Sequence, residues 1–479
     1  MLRLLLVVFA CVAATPAYTQ SSDEWTLERS VQYAVQNNLT IKQSELNARL
    51  AKFTLQQSQL QQLPNLNGSA NYGRSFGRSV NPVTNQFEES NYDFLSLGAN
   101  ANVLLFGWFQ QRNLIKSNKF GLEASKADLD QMKNDISLNV ANGFLRAVLA
   151  KEQIRIFERQ VELSKAQLAQ TDAFVKAGRL PELNLAQLQA QVANDSASLI
   201  NAIAGYNSAL IDMRALLNLD FTVPFDITVP EVKVGDQLAL QNMNPGMIYE
   251  EARRNFGSVK GAKYRVDAAS SAFKAAQGGL WPNLTVGGQL GSNWASSYRV
   301  VDGYTVGGIQ PTGAYTIDSV NQVIYQVYQP SVTPRFIDVP LGKQLDNNLR
   351  QTVSLNLNIP IFNGWQAQYN VRQSKINYLR QQLNLDQAEL TLKQNVYVAY
   401  NEAVNAVQKY NAAERGNAAA QRALEFARQR YELGLINTVE YLVTQNTANT
   451  SASNFAIAKY ELIFKLKVID YYLGKELKL

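Results

Sequence analysis

The segment LSLGANANVLLFGW, residues 95–108, is followed by the proline-free segment Gln110–Lys176. In the first segment apolar residues alternate with small polar residues, which predicts a β-strand with one apolar and one polar face. In the second segment apolar residues recur every three or four positions, which predicts an α-helix about 100 Å long. Phe106-Gly107-Trp108 forms the corner between the two segments. The sequence therefore predicts an α+β chain in which strands turn into very long helices.

The same alternation predicts four strands, at about 66–76, 94–105, 284–294 and 352–359. Each predicted strand has about ten residues, the length and pattern of a strand with lipid on one side and a wet lumen on the other. An amphipathic sheet on a soluble core is the alternative. Aromatic residues at the corners favour the membrane, because they resemble an interfacial aromatic girdle. These residues are Phe106, Trp108, Phe109, Trp281, Phe362 and Trp365.

Three motifs occur twice in the same order, which predicts an internal two-fold repeat. Leu63-Pro64-Asn65-Leu66 recurs as Trp281-Pro282-Asn283-Leu284, the Gly-Trp corner recurs at 364–365, and the glycine turn at 178 recurs at 434. We expect a first repeat over 20–245 and a second over 246–479. The predicted long helices span about 110–176, 182–217, 366–431 and 438–473, with an equatorial segment at 219–245.

The composition argues against an enzyme. The chain has no histidine and one cysteine, Cys11, which excludes histidine-based catalysis and cysteine-based zinc sites. It has no P-loop, dinucleotide fingerprint or HExxH motif. We therefore expect no catalytic residue, no metal and no cofactor. The 45 basic and 39 acidic residues are interspersed, so nucleic acid is not an expected partner.

Residues 1–19 predict a secretory signal peptide, with Arg3 before the apolar run Leu4–Ala14 and small residues after it. Cleavage after Ala17 or after Thr19 fits equally. The apolar run is too short for a membrane anchor. Lipidation of Cys11 is an alternative, although the bulky Phe9 fits a lipoprotein signal poorly. No later segment is apolar enough for a transmembrane helix, so an exported chain of this kind enters a membrane as β-structure.

Four strands cannot close a barrel, because single-chain barrels begin at about eight strands. An open edge in lipid leaves backbone groups unpaired at a cost of several kcal/mol each. The barrel must then be shared between chains. Two copies would give a barrel of about eight strands filled by its own side chains, whereas three would give about twelve and leave a water-filled lumen.

These features resemble the TolC-like outer-membrane efflux protein family, also called outer membrane factors. The resemblance covers essentially all of the chain after the signal segment. It rests on the order of Trp25-Thr26-Leu27-Glu28, Asn37-Asn38, the two Pro-Asn-Leu strand entries, Phe362-Asn363-Gly364-Trp365 and the glycine turns. It implies a homotrimer whose 12-stranded barrel in the outer membrane continues as an α-helical tunnel into the periplasm.

The resemblance also implies a passive exit duct of a tripartite efflux pump or a type I secretion system. Its partners would be outer-membrane lipid, a periplasmic adaptor (membrane fusion) protein and an inner-membrane RND, ABC or MFS transporter. The alternative is an exported structural coiled-coil protein of the envelope without transport activity, which would account for the helices but not for the strands. The transported substrate cannot be deduced from the chain.

The two glycine turns are the candidate adaptor-docking tips, by the same resemblance. Their residues are Gly178, Arg179, Leu180, Gly434, Leu435 and Ile436. Each glycine can end a helix with a positive φ, and Pro181 suits the first turn of the next helix. Local packing of the hairpin is the alternative role for their apolar residues. Glu440 is the gate candidate, because the family closes its tip with acidic residues, and a first-turn Glu favoured by the helix dipole is the alternative.

Ser296–Asn348 separates the last two predicted strands and is much longer than the first inter-strand segment, Arg78–Ser90. Its content of Tyr, Gly, Pro and Val predicts a long extracellular loop. Such a loop would cap the pore, contact another surface protein or have no specific task.

Overall fold

The computed structural model describes residues 24–80, 87–89, 91–229 and 244–475. The predicted signal peptide and residues 230–243 of the predicted equatorial segment lie outside this part. Among the described residues, no helix combines the length and apolarity needed to cross a bilayer. The helices are α1 (Leu27–Asn37), α2 (Leu39–Leu60), α3 (Gln110–Lys176), α4 (Glu182–Leu217), α5 (Pro245–Asn255), α6 (Gly257–Gly278), α7 (Leu341–Asn347), α8 (Gln366–Glu432) and α9 (Thr438–Tyr472).

The strands form one four-stranded sheet and three two-stranded pairs. They are β1 (Glu24–Trp25), β2 (Asn65–Ser75), β3 (Arg78–Val80), β4 (Phe87–Glu89), β5 (Tyr92–Phe106), β6 (Asp226–Ile227), β7 (Asn283–Ala295), β8 (Arg299–Asp318), β9 (Val323–Asp338) and β10 (Arg350–Asn358). The large sheet has the order β10-β7-β5-β2, and its neighbouring strands are antiparallel. The pairs are β1 with β6, β3 with β4, and β8 with β9.

The chain divides into two compact units. The first contains the described residues of Met1–Thr54, Ser117–Ser270 and Ile376–Leu479, and the second contains those of Leu55–Lys116 and Ser271–Lys375. The four-stranded sheet lies in the second unit. Each unit draws residues from both predicted repeats. The lengths of corresponding helices match closely, since α3 and α8 have 67 residues each, and α4 and α9 have 36 and 35.

The two largest hydrophobic clusters of the first unit lie between its helices. One contains Val140 and Phe144 of α3 with Met213 and Leu217 of α4, and the other is centred on α8 and α9. Alanine recurs at the buried positions of the long helices, which lets their backbones approach closely. The closest approach is at Gly257, where a Cβ would overlap the Ala127 carbonyl oxygen.

The short parallel pair β1–β6 is tied to the long helices by Asp226. Lys151 of α3 donates hydrogen bonds to both Asp226 carboxylate oxygens at 3.2 and 3.0 Å and to the Ile227 carbonyl at 2.8 Å. The Tyr206 hydroxyl of α4 also donates to Asp226. Burial alone would raise the pKa of the Asp226 carboxyl, but the hydrogen bonds from Tyr206 and Lys151 outweigh it and hold this pKa below its ordinary value.

The segment predicted as a long loop, Ser296–Asn348, is instead mostly a β-hairpin of β8 and β9 followed by the short α7. Its glycines and prolines hide the strand pattern, because register shifts interrupt the pairing at 301/303, 306/309 and 311/315. Pro181 also differs from the expectation. It lies at the N-cap, and α4 begins at Glu182.

The helix before each predicted strand entry is broken once. Between α1 and α2, Asn38 has an extended backbone, and its side-chain oxygen accepts from the Thr40 N–H at 2.9 Å. Its amide nitrogen donates to the Leu216 carbonyl at 2.9 Å, which satisfies the end of α4. Phe256 makes the corresponding break between α5 and α6.

Candidate functional site at the helix turns and strand corners

The turn between α3 and α4 ends α3 with a Schellman motif. Gly178 has φ +71°, a conformation that glycine adopts without a steric penalty. The Arg179 N–H donates to the Phe174 carbonyl at 2.8 Å, and the Gly178 N–H donates to the Val175 carbonyl at 2.9 Å. The Arg179 guanidinium also lies over the Phe174 ring, 4.8 Å from its centroid. The predicted role of Gly178 in the backbone is confirmed.

The turn between α8 and α9 repeats this geometry. Gly434 has φ +74°, and the Leu435 N–H donates to the Arg430 carbonyl at 2.8 Å. Asn437 is the N-cap of α9, because its side-chain oxygen accepts from the Glu440 N–H at 2.8 Å. Both turns therefore end the preceding helix with a glycine at positive φ, and both form exposed hairpin ends in the first unit.

A buried tyrosine pair stabilises the second turn. Tyr431 of α8 stacks on Tyr441 of α9 with 5.0 Å between ring centroids. The Tyr431 hydroxyl lies 3.1 Å from the Thr438 hydroxyl and 3.4 Å from the Thr171 hydroxyl of α3. Burial raises the pKa of the Tyr441 hydroxyl, so this ring stays neutral. The hydroxyl of Tyr431 thus joins three helices, a contact that the sequence did not predict.

The apolar residues of the turns divide between packing and exposure. Ile436 packs on the Tyr431–Tyr441 pair, and Leu180 is half-buried. Leu435 is 63% exposed and has no packing role of this kind. Three further apolar residues are exposed at or beside the turns and were missed by the sequence analysis, although their proximity to the turn glycines was a usable signal: Leu183, Leu433 and Val439.

The gate candidate Glu440 lies in the first turn of α9, where its side chain is exposed. Val443, one turn further along α9, is also exposed. The capping bond engages the Glu440 backbone and leaves its carboxylate in solvent. Among the described residues no group of acidic or cysteine side chains is arranged to bind a metal ion.

The strand–helix corners of the second unit hold the predicted aromatic residues in two groups. Trp108 lies 4.8 Å from Trp281 and 5.6 Å from Phe106, measured between ring centroids. Trp365 and Phe362 occupy the other corner, where Phe362 is 85% exposed. Trp108 and Trp365 have φ of 47° and 68°, which is rare for bulky residues. The backbone strain at these corners therefore coincides with exposed aromatic side chains.

The four-stranded sheet has one apolar and one polar face. The register places Leu66 opposite Ala101, Val103 opposite Val286, and Val286 opposite Leu355. The other face carries Asn, Ser, Thr and Gly at positions such as Asn67, Asn100 and Asn356. Charged residues occur in these strands only near the end away from the corners: Arg74, Asp93 and Arg350.

The apolar face of the sheet is exposed, and Val353 has 83% of its surface accessible. The outer strands β2 and β10 each pair on one side only within the part of the chain that the structure describes. An exposed apolar face that carries charge only at the end away from the corners, together with two open edges, is not stable in water. Lipid against that face would remove the apolar side chains from water, and further strands at the edges would pair the free backbone groups.

Comparison with known proteins gives consistent matches over nearly the whole chain. The sequence model of the outer membrane efflux protein family matches residues 30–219 and 248–474. The outer membrane efflux protein BepC of Brucella suis biovar 1 (strain 1330) is 22% identical over 445 residues, which cover 92% of this chain and 84% of that protein. The toxin and drug export protein A of Aggregatibacter actinomycetemcomitans is 21% identical over 462 residues, or 94% of this chain and 87% of that protein.

A solved structure shares the fold. The open state of the Neisseria gonorrhoeae MtrE outer membrane channel aligns with a TM-score of 0.70 at 16% identity, covering 94% of this chain and 89% of that chain.

Proposed function

The chain belongs to the outer membrane efflux protein family, and we propose that it is the exit duct of a tripartite efflux pump or a type I secretion system. The observation that carries this proposal is the four-stranded sheet with one exposed apolar face, one polar face and two open edges. In a bilayer the apolar face meets lipid and the polar face lines an aqueous lumen. The protein itself performs no chemistry in this role, and solutes pass through it.

The open edges support a homotrimer. Three copies of a four-stranded sheet give a barrel of about twelve strands, which is wide enough for water. Pairing β2 of one copy with β10 of the next satisfies the backbone groups that would otherwise lie unpaired in lipid. The long helices continue from the same strand ends and form the tunnel wall in the periplasm.

Two neighbouring residues of β10 test this arrangement. Leu355 lies on the apolar face and Asn356 on the polar face. We expect Leu355→Arg to block membrane insertion, because arginine on the lipid face costs about 2–4 kcal/mol near the bilayer midplane. Asn356→Arg should insert and alter single-channel conductance. The readouts are an SDS-resistant trimer and channels in planar bilayers, and equal insertion of the two variants would contradict the proposed faces.

We further propose that the two helix turns dock a periplasmic adaptor, which links the duct to an RND, ABC or MFS transporter of the inner membrane. The exposed Leu435 supports this proposal, since an apolar side chain on a rigid turn suits a partner surface. Leu435→Glu should abolish efflux in cells while the trimer persists. The control is Val320→Glu, at another exposed apolar position, in the β8–β9 turn. Normal efflux by the Leu435 variant would rule out this docking site.

Glu440 is proposed as a gate residue because its carboxylate is free in solvent beside the turn. A lumenal carboxylate would attract cations, so Glu440→Gln should weaken block by multivalent cations and change conductance. The capping bond from the backbone to Asn437 stays intact in this variant, so the fold is preserved. Unchanged single-channel behaviour would leave Glu440 with a helix-dipole role only.

The aromatic corners are proposed to mark the periplasmic membrane interface. Tryptophan and phenylalanine at both corners are exposed, and they lie next to the strand ends that carry no charged residue. This order along the chain matches the order of hydrocarbon and interface across a bilayer.

A further inference from the structure

The four junctions between the strands of the sheet and the neighbouring helices lie along one edge of the sheet. In the register, Asn65 pairs with Asn102 close to the end of β5, and Asn283 pairs with Asn358 at the end of β10. Leu284 pairs with Phe106. The start of β2, the end of β5, the start of β7 and the end of β10 therefore share one edge, and the chain continues from each of them into a helix or a helix end.

The segments at this edge carry charge of one sign only, which is positive. Residues 55–64, 106–116, 271–282 and 359–375 contain five basic residues and no acidic residue. The basic residues, here called the basic collar, are Arg112, Lys116, Lys274, Arg372 and Lys375. All five belong to the second unit and have exposed side chains.

The basic collar lies close to the aromatic corners. Lys116 is six residues after the start of α3, and Lys375 is nine residues after the start of α8. At 1.5 Å per residue these positions are about 9 Å and 14 Å along the helices. Headgroups occupy about 5–8 Å on each side of the hydrocarbon core. Long basic side chains can extend back toward them, so the collar reaches the phosphate layer.

We propose that the basic collar binds the phosphodiester headgroups of anionic phospholipid at the periplasmic face of the membrane. The inference rests on the proposed function, since it needs the sheet to be inserted in a bilayer. Its support is the order along the chain away from the sheet: the strand half without charged residues, then the exposed aromatic corner, then the cations. That order is the order of hydrocarbon, interface and phosphate. Arg372 connects the aromatic corner with the cations, because its guanidinium lies 5.0 Å from the centroid of the Trp365 ring.

A lipid surface fits the collar better than an acidic protein does. The cations are distributed over three separate segments at the two corners. Ile361 and Phe362, which precede Arg372 and Lys375 in one of these segments, have apolar side chains that are almost fully exposed. Single cations on separate segments that also carry exposed apolar residues match many separate headgroups, each with one negative charge.

Tryptophan fluorescence provides the test. The chain has five tryptophans, and Trp108, Trp281 and Trp365 lie in the corners. The trimer is reconstituted in phosphatidylcholine vesicles that contain either brominated phosphatidylcholine or brominated phosphatidylglycerol, which quench nearby tryptophans. We expect the unchanged protein to prefer phosphatidylglycerol about fivefold, the effect of one cation close to a headgroup. High salt should reduce the preference for phosphatidylglycerol, because the Debye length falls to about 3 Å at 1 M.

The variant Arg112→Gln/Arg372→Gln/Lys375→Gln should lose this preference while it still inserts. The control Lys165→Gln/Arg422→Gln removes exposed cations from the same two helices about 80 Å from their starts and should retain it. The inference would be overturned if both variants preferred phosphatidylglycerol equally, or if the unchanged protein showed no such preference. If the protein still inserted and conducted in that case, the proposed channel would be upheld. Failure to insert into either lipid would instead refute the channel itself, and the collar with it.

Discussion

Removing the Tyr431 hydroxyl should loosen the turn between α8 and α9. Tyr431→Phe keeps the buried ring and its stacking on Tyr441 but deletes the hydroxyl that lies 3.1 Å from Thr438 and 3.4 Å from Thr171. A buried hydrogen bond contributes about 0.5–1.5 kcal/mol, and the bond at 3.4 Å is longer than usual and therefore weaker. The expected loss is about 1–2 kcal/mol of local stability, with Thr171 able to bond its own helix instead.

Hydrogen exchange of the purified trimer measures this loss, because backbone amides exchange through local opening. Peptides covering 428–445 should exchange about five- to thirtyfold faster, the factor that corresponds to 1–2 kcal/mol. Peptides covering 168–175 should show a smaller increase, since Thr171 loses one partner. The core of α3 at 140–148 should not change, because it packs in a different hydrophobic cluster.

Tyr441→Phe is the control, because it also removes a buried tyrosine hydroxyl from the pair but one for which the described residues provide no hydrogen bond. Its exchange should remain within about twofold of the unchanged protein, a change worth less than one hydrogen bond. Equal acceleration in both variants would show that ring packing, and not the three-helix hydroxyl contact, holds the turn.

Two further predictions concern the first unit. Gly257→Ala should lower the melting temperature of the trimer, because the new methyl group overlaps the Ala127 carbonyl and overpacking costs about 1–3 kcal/mol. Gly205→Ala, in an open position of α4, should raise it, since alanine is favoured over glycine in a helix by about 0.5–1 kcal/mol, and a decrease would contradict this. The lowered pKa of Asp226 means that its contribution to stability is present above about pH 4 and is lost as the pH falls through the folded-state value. Asp226→Asn should therefore be less stable at pH 7 and lose less stability on acidification, whereas identical pH profiles in thermal unfolding would exclude a role for the Lys151–Asp226 contact.

The regular elements could be predicted because their patterns are long and local. The periodicity between the corner at Trp108 and the glycine at 178 predicts a helix over 110–176, and α3 has those bounds. The alternation predicts a strand at about 66–76, and β2 spans Asn65–Ser75. Glycine at a helix end is also a local signal, which is why both turns could be identified as turns.

The β8–β9 hairpin could not be predicted in the same way. Its alternation is interrupted by Gly303, Pro311 and Gly313, and each register shift moves the following side chains relative to the opposite strand. A window of a few residues then contains no consistent period of two. The pairing that defines this hairpin joins residues up to 39 apart, such as Arg299 with Asp338, and composition alone favours a loop.

Side-chain contacts between the helices could not be predicted from the sequence for a different reason, which Asp195 illustrates. In the sequence it lies among polar residues of α4 and suggests a solvated face, yet the structure leaves it only 7% exposed. Its carboxylate accepts from Gln160 at 3.1 Å, from Gln191 at 2.9 Å and from the Ser164 hydroxyl. A buried carboxylate is costly unless it is fully hydrogen-bonded, so these donors must face it in one helix register.

That requirement explains why such a residue suits very long helices. The seam between α3 and α4 mixes alanine and leucine with larger residues such as Phe144 and Met213, and apolar residues that recur every three or four positions can be aligned in more than one way. Shifting α4 by one or two turns along α3 would require the turn at Gly178 to re-form at other residues and would separate Asp195 from Gln160 and Ser164. An unpaired buried charge then penalises every wrong alignment, so the polar contact specifies the register while apolar burial supplies most of the stability.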